Sequence, residues 1–275
     1  MNGQSANEET TGSARADRHL VRIRDGVIEV IVAGEGASIV LLPSLGRGAE
    51  DFVPIATRLV AAGFRVLCPQ PRGIGASRAP MSGVTLADYA ADIAAVIEAD
   101  GDGPAFLVGH AFGNRVARLL ATKRPELTRA VALVAANVGR APSPPHIRAA
   151  IRASADPGRP QEERLAALRT AFFAPGNDPR RWLDGWYPEV LAAQRIAGDL
   201  TPREEDYAAG SAPVLYLRPE HDPLAHAEDA AEFQRALGSR VTVQVIRGAG
   251  HAAIAEQPTA VADALIAYAR KLGGA

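Results

Sequence analysis

The chain has 275 residues, 47% of them hydrophobic, with 30 Lys and Arg against 31 Asp and Glu and a formal net charge of −1. That length and apolar content suit one large domain with an insertion, and an even charge without a basic block excludes a surface that tracks nucleic-acid phosphates. No apolar stretch is long and charge-free enough to cross a bilayer, and the single cysteine, Cys68, excludes an internal disulfide.

Residues 1–17 are rich in Asn, Glu, Thr, Ser and Ala and lack the apolar core of a secretory signal, which predicts a disordered tail on a cytoplasmic protein. Short β-branched runs then alternate with longer Ala- and Leu-rich amphipathic segments, the rhythm of parallel strands joined by crossover helices. Strands are predicted near 19–24, 27–33, 38–43, 65–69, 105–109, 130–136, 213–218 and 241–247. Helices are predicted over Glu50–Ala62, Thr85–Asp100, Gly113–Lys123, His226–Leu237 and Thr259–Leu272, where apolar residues recur every three or four positions. Asp25-Gly26 between the first two strands signals a hairpin, so the sheet begins antiparallel. Cys68 closes the apolar run Phe64-Arg65-Val66-Leu67-Cys68 and reads as a buried strand thiol.

The strand rhythm stops over residues 138–210, which predicts a helical cap inserted into a core formed by 18–137 and 211–275. Pro142, Pro144, Pro145 and Pro157 punctuate its entry. Phe172, Phe173, Trp182, Trp186 and Tyr187 concentrate within it. Most of these aromatics read as glue for the cap's own core, with Trp182 and Trp186 the candidates for lining a substrate pocket.

Three short segments carry chemistry. The first, Val108-Gly109-His110-Ala111-Phe112-Gly113-Asn114, joins an apolar strand to a helix. It has the form of Gly-x-Ser-x-Gly, the strained turn that lifts a nucleophile into an active site, but with a methyl group where the hydroxyl stands. In the second, residues 213–224, a strand runs into a loop bearing Asp222, and in the third, residues 245–251, a strand ends in a Gly-rich loop that presents His251. In order and strand placement these segments resemble the α/β-hydrolase superfamily over roughly residues 19–272.

The resemblance implies an α/β fold, a mostly parallel eight-stranded sheet flanked by helices with a helical cap insertion. Position by position it implies His251 as general base, Asp222 as the carboxylate that orients it, and Ala111 in the nucleophile's place. It also implies oxyanion donors from the N–H groups of Phe112 and Leu45. Before the Leu45 position relatives often read His-Gly, where this chain reads Pro43-Ser44. Arg72-Gly73-Ile74-Gly75-Ala76-Ser77 matches the family's turn after the fourth strand. Taken alone it would suggest a dinucleotide loop, but it lacks the third glycine and does not open the first βαβ unit. No phosphate loop occurs either, so no NAD, FAD, ATP or other cofactor is implied.

Other polar residues carry plainer readings. His110 is expected to point away from Ala111 into a local hydrogen bond, and His19, His146, His221 and His226 lack the spacing of metal ligands. Glu220 competes with Asp222 for the acid's role, although the Asp-Pro-Leu context favours Asp222 and leaves Glu220 to cap or to face solvent. Ser44 is either a substrate contact or a loop serine bonded to its own backbone. Arg47 is expected to be exposed, or else to meet an anionic substrate group.

The expected partner is a small, largely apolar organic substrate, with no nucleic acid or membrane. The lineage chemistry is hydrolysis of an ester, lactone or amide, with serine replaced by Ala111, naturally or by engineering. The alternative is acid/base chemistry by His251 and Asp222 without a covalent intermediate, of the oxygenase, lyase or elimination type. A further alternative is a ligand-binding protein without turnover. Substrate identity and oligomeric state have no signature in the sequence.

Overall fold

Eight strands form one sheet: β1 Asp17–Ile23, β2 Gly26–Ala33, β3 Ser38–Leu42, β4 Arg65–Pro69, β5 Ala105–His110, β6 Thr128–Val134, β7 Val214–Pro219 and β8 Val241–Ile246. Their spatial order is β1-β2-β4-β3-β5-β6-β7-β8. β2 runs antiparallel to β1 and β4, and the pairs from β4 through β8 are parallel. This computed structural model describes residues 16–139 and 143–273; Pro142 and most of the predicted tail lie outside them. Asp17, read as the end of that tail, pairs with Val32 as the first residue of β1.

The helices among the described residues are α1 Val53–Ala61, α2 Leu86–Asp100, α3 Phe112–Lys123, α4 Pro145–Ala155, α5 Gln161–Ala171, α6 Pro188–Leu200, α7 Arg203–Asp206, α8 Ala227–Leu237, α9 Ala253–Glu256 and α10 Pro258–Lys271. Parallel strands covered on both faces bury every position, and β3 does so: Ile39 and Leu41 join the layer built with α1 and α10, while Val40 and Leu42 join α2, α3 and α8. Between β6 and β7 the described residues form α4 to α7 and a 3₁₀ turn, Pro179–Trp182, and contain no strand. No helix among the described residues is long and apolar enough to cross a membrane.

The expected boundaries shift for local reasons. Residues Ala49–Phe52 form a 3₁₀ turn, and α1 starts only at Val53 because Pro54, which lacks an N–H, suits the first helical turn. Thr85, expected as the first residue of its helix, instead caps α2, its own N–H donating to Asp88 Oδ2 at 2.8 Å in a capping box. β6 ends at Val134, short of the predicted 136, because Ala135 turns the chain at φ 53°. The hairpin is Arg24-Asp25 rather than Asp25-Gly26: Ile23 pairs with Gly26, which already belongs to β2. A Cβ on Gly26 would lie 2.1 Å from the Arg78 carbonyl oxygen, so close approach rather than turn geometry requires glycine there.

The turn from β5 into α3 is crowded on both sides. A Cβ at Gly113 would lie 2.3 Å from the Leu42 carbonyl oxygen, and one at Gly109 would lie 2.4 Å from the Gly113 carbonyl carbon. The two glycines thus let α3 pack against the end of β3, which sets where residue 111 projects. Replacing Gly113 by Ala is expected to lower unfolding free energy by about 1–3 kcal/mol, the usual cost of overpacking, read as a reduced urea midpoint.

Candidate active site

Ala111, Asp222, His251 and the segment Ser44-Leu45 all follow the carboxyl ends of strands, β5, β7, β8 and β3 respectively. That edge of an open α/β sheet is where ligands bind. Ala111 adopts φ 49° and ψ −106° between the last residue of β5 and the first of α3. Its N–H donates to the Val134 carbonyl at 3.1 Å, and the same carbonyl accepts from Asn114 Nδ2 at 2.9 Å. A non-glycine residue in such a conformation costs about 1–3 kcal/mol, and these two bonds to β6 hold it there.

His251 Nδ1 lies 2.9 Å from Asp222 Oδ2 and 3.0 Å from Oδ1. Both side chains are buried. The N–H groups of Leu224 and Ala225 donate to Asp222 Oδ1 at 2.8 and 3.1 Å, so the carboxylate is fixed from two directions. Burial by itself would raise the Asp222 pKa, but the adjacent His251, its hydrogen bond and the two main-chain N–H groups hold it below the ordinary carboxylate range. An ionised acceptor at Nδ1 fixes the tautomer and leaves Nε2 as the basic nitrogen.

His110 stands behind this pair. Its ring is wholly buried; that burial, with His251 as the next cause, pushes its pKa down to about 3. Neutral His110 donates from Nε2 to the His251 main-chain oxygen at 2.7 Å, which ties the histidine loop to the end of β5. Glu220 behaves as expected, exposed and accepting from the Gly248 N–H at 2.9 Å. Cys68 is buried in β4, and that burial pushes its thiol up to about 12. Among the described residues no group of three or more His, Cys, Asp or Glu is arranged to hold a metal ion.

A cavity of about 210 Å³ brings the expected residues together: Ala111, His251, Ser44, Leu45, Phe112 and Trp186 all line it. Among the described residues the N–H groups of Leu45 and Phe112 have no acceptor, and as the first residue of α3 Phe112 has none within the helix. The Ser44 hydroxyl likewise bonds nothing among the described residues, contrary to the backbone-bonded alternative.

Trp182 is a correction. It is 1% exposed and does not line the cavity, because Phe172, Phe173, Trp186 and Arg47 surround its ring. Arg47 is a second correction, being 2% exposed and aimed at protein rather than substrate. Its guanidinium lies 4.7 and 4.8 Å from the Trp182 and Trp186 ring centroids, pairs with Asp51 at 2.6 Å and donates to the Asp184 carbonyl at 2.7 Å. The Gly46 N–H donates to Gln194 Oε1 at 2.7 Å and the Tyr187 N–H to the Gly46 carbonyl at 2.9 Å. The loop carrying Leu45 is therefore clamped by the segment between β6 and β7.

Phe172, Leu224, Arg115, Arg118 and Arg203 also line the cavity and were not expected there. The available signal was the pair Arg115 and Arg118, three apart in an otherwise apolar stretch of α3 directly after the elbow. Charge at buried spacing is uncommon without a partner or a purpose.

Residues 39–264 match the Alpha/beta hydrolase family. The chain is similar to 2-(acetamidomethylene)succinate hydrolase of Mesorhizobium japonicum, 28% identical over 242 residues that cover 79% of this chain and 82% of that one. It also resembles the solved structure of E-2-(acetamidomethylene)succinate hydrolase, with a TM-score of 0.75 and 24% identity over 93% of this chain and 100% of that chain. A thermophilic esterase from Thermogutta terrifontis gives a TM-score of 0.75 and 24% identity, covering 94% of this chain and 99% of that chain. With the family matched across most of its length and its sheet, elbow turn and strand order in place, the chain belongs to the Alpha/beta hydrolase family.

Proposed function

We propose that the protein hydrolyses a small ester, lactone or amide by direct attack of water, with His251 as general base and no covalent intermediate. The observation that carries this reading is the intact, buried pair of His251 and Asp222 beside an elbow that keeps its strained geometry without a hydroxyl. Water next to the Ala111 methyl gives a proton to His251 Nε2 as its oxygen bonds to the carbonyl carbon. The Leu45 and Phe112 N–H groups receive the developing oxyanion, and the imidazolium returns the proton to the leaving group as the tetrahedral intermediate collapses. Asp222 stabilises that imidazolium. Leu45, Phe112, Ile151, Phe172, Trp186 and Leu224 supply an apolar wall for the organic part of the substrate. The related hydrolase of Mesorhizobium japonicum supports hydrolysis as the reaction type. The helical segment over 138–210 is proposed to act as the cap, and its clamp on the Leu45 loop makes it part of the oxyanion site.

Turnover of small phenyl esters and lactones tests the reading. His251→Ala is expected to lower kcat/KM by about 10²–10⁴-fold, the usual span for acid–base catalysis, and Ala111→Ser to produce a pre-steady-state burst as an acyl-enzyme accumulates. Turnover that is unchanged in His251→Ala overturns it, as does an absence of turnover with bound ligand released unaltered.

Asp222→Asn separates the acid's catalytic and structural parts. It is expected to cost roughly 10³–10⁴-fold in activity, as in other triads whose acid becomes an amide. The native carboxylate has a depressed pKa, so its stabilising contribution is complete above the ordinary value, about 3.9, and is lost as pH falls from there through the lower folded value. Urea unfolding of both proteins at pH 7 and pH 3 is expected to show a stability gap that narrows at the lower pH.

A further inference from the structure

We infer that the substrate carries a carboxylate, and that Arg203, backed by Arg115 and Arg118, reads it from one wall of the cavity. This rests on the reading of that cavity as the substrate site and specifies the class of molecule it takes.

The wall contains three guanidinium groups and, among its lining residues, no Asp or Glu. Arg115 and Arg118 share one carboxylate outside the lining, Asp206, at 3.1 and 2.9 Å. Arg115 is further held by the Gly198 and Thr201 carbonyls at 2.7 and 3.0 Å. One acid against two permanent cations leaves the pair positively charged, and guanidinium does not escape by losing its proton.

Arg203 differs from both. It is exposed, donates through Nη1 to the Gly139 carbonyl, and has no ion pair among the described residues. Most of its five donors are therefore left for a ligand. A planar guanidinium fork matches the two oxygens of a carboxylate, and charge-assisted bonds of that kind are the strong ones. Leu45, Phe112, Ile151, Phe172, Trp186 and Leu224 make much of the remaining lining apolar, so the cavity suits an amphiphilic molecule with a short carbon chain, its reacting carbonyl beside His251 and its anionic end on the arginines. At about 210 Å³ the cavity has room for a short-chain acid.

The probes are 4-oxopentanoate, whose ketone stands for the reacting carbonyl, and 2-hexanone, a neutral ketone of the same length. Neither has a bond to hydrolyse, so their binding is independent of whether His251 turns substrate over. Titration calorimetry on the full chain at neutral pH is expected to give a Kd for 4-oxopentanoate at least about tenfold lower than for 2-hexanone. In Arg203→Gln the two are expected to come within about threefold, with 2-hexanone affinity and melting temperature unchanged. Arg203→Lys is expected to restore part of the preference. Equal affinity in the unmodified chain, binding of neither probe, or a preference that survives Arg203→Gln overturns the assignment. Loss of His251-dependent hydrolysis with the charge preference intact would instead remove the proposed reaction and leave this site standing.

Discussion

The contact of His251 Nδ1 with both oxygens of Asp222, at 2.9 and 3.0 Å, joins loops that leave β7 and β8 and are separated by 29 positions in the chain. It is a buried contact, and burial is what gives it consequence. An unpaired carboxylate there would be costly, whereas one that accepts an imidazole N–H and two main-chain N–H groups remains ionised. The ionised acid fixes the imidazole tautomer, and the fixed tautomer turns a basic nitrogen toward a cavity. His110 extends the same logic one layer deeper, since a neutral buried ring that donates to the His251 carbonyl holds the loop without adding charge beside the base.

Position 111 gains its meaning from that frame. The elbow keeps its two close glycine contacts, its positive φ and its bonds to β6, yet ends in a methyl group. A strained turn costs the fold stability whether or not it bears a nucleophile, and the proposed attack by water gives this one a use beside His251 and Asp222. The clamp of Arg47 between Trp182 and Trp186 serves the same centre from the other side. It couples the Leu45 loop to the helical insertion through one buried cation.

Much of this was legible in the sequence, for physical reasons that differ between elements. Segments 108–114, 213–224 and 245–251 announced themselves because glycines at close contacts and a carboxylate or imidazole after a strand are demands of local geometry. The central strands were visible because burial on both faces leaves uninterrupted apolar runs, whereas the start expected at Glu50 for α1 ignored Pro54, which marks the first turn three residues later. Trp182 and Arg47 were not legible, because which face of an aromatic cluster meets a cavity is decided by tertiary packing, and a stacked, ion-paired arginine looks like an exposed one. Arg203 was hidden for the same reason: its place at the cavity depends on a contact with Gly139, 64 positions away in the chain.

The central claim, that water activated by His251 is the attacking group, is tested most directly by turnover of phenyl acetate in ¹⁸O-labelled water, with mass analysis of products and protein. The account predicts one ¹⁸O in the acetate, none in the phenol, and no added mass on the protein. Unlabelled acetate, an adduct on the chain, or the same labelling rate in His251→Ala would contradict it.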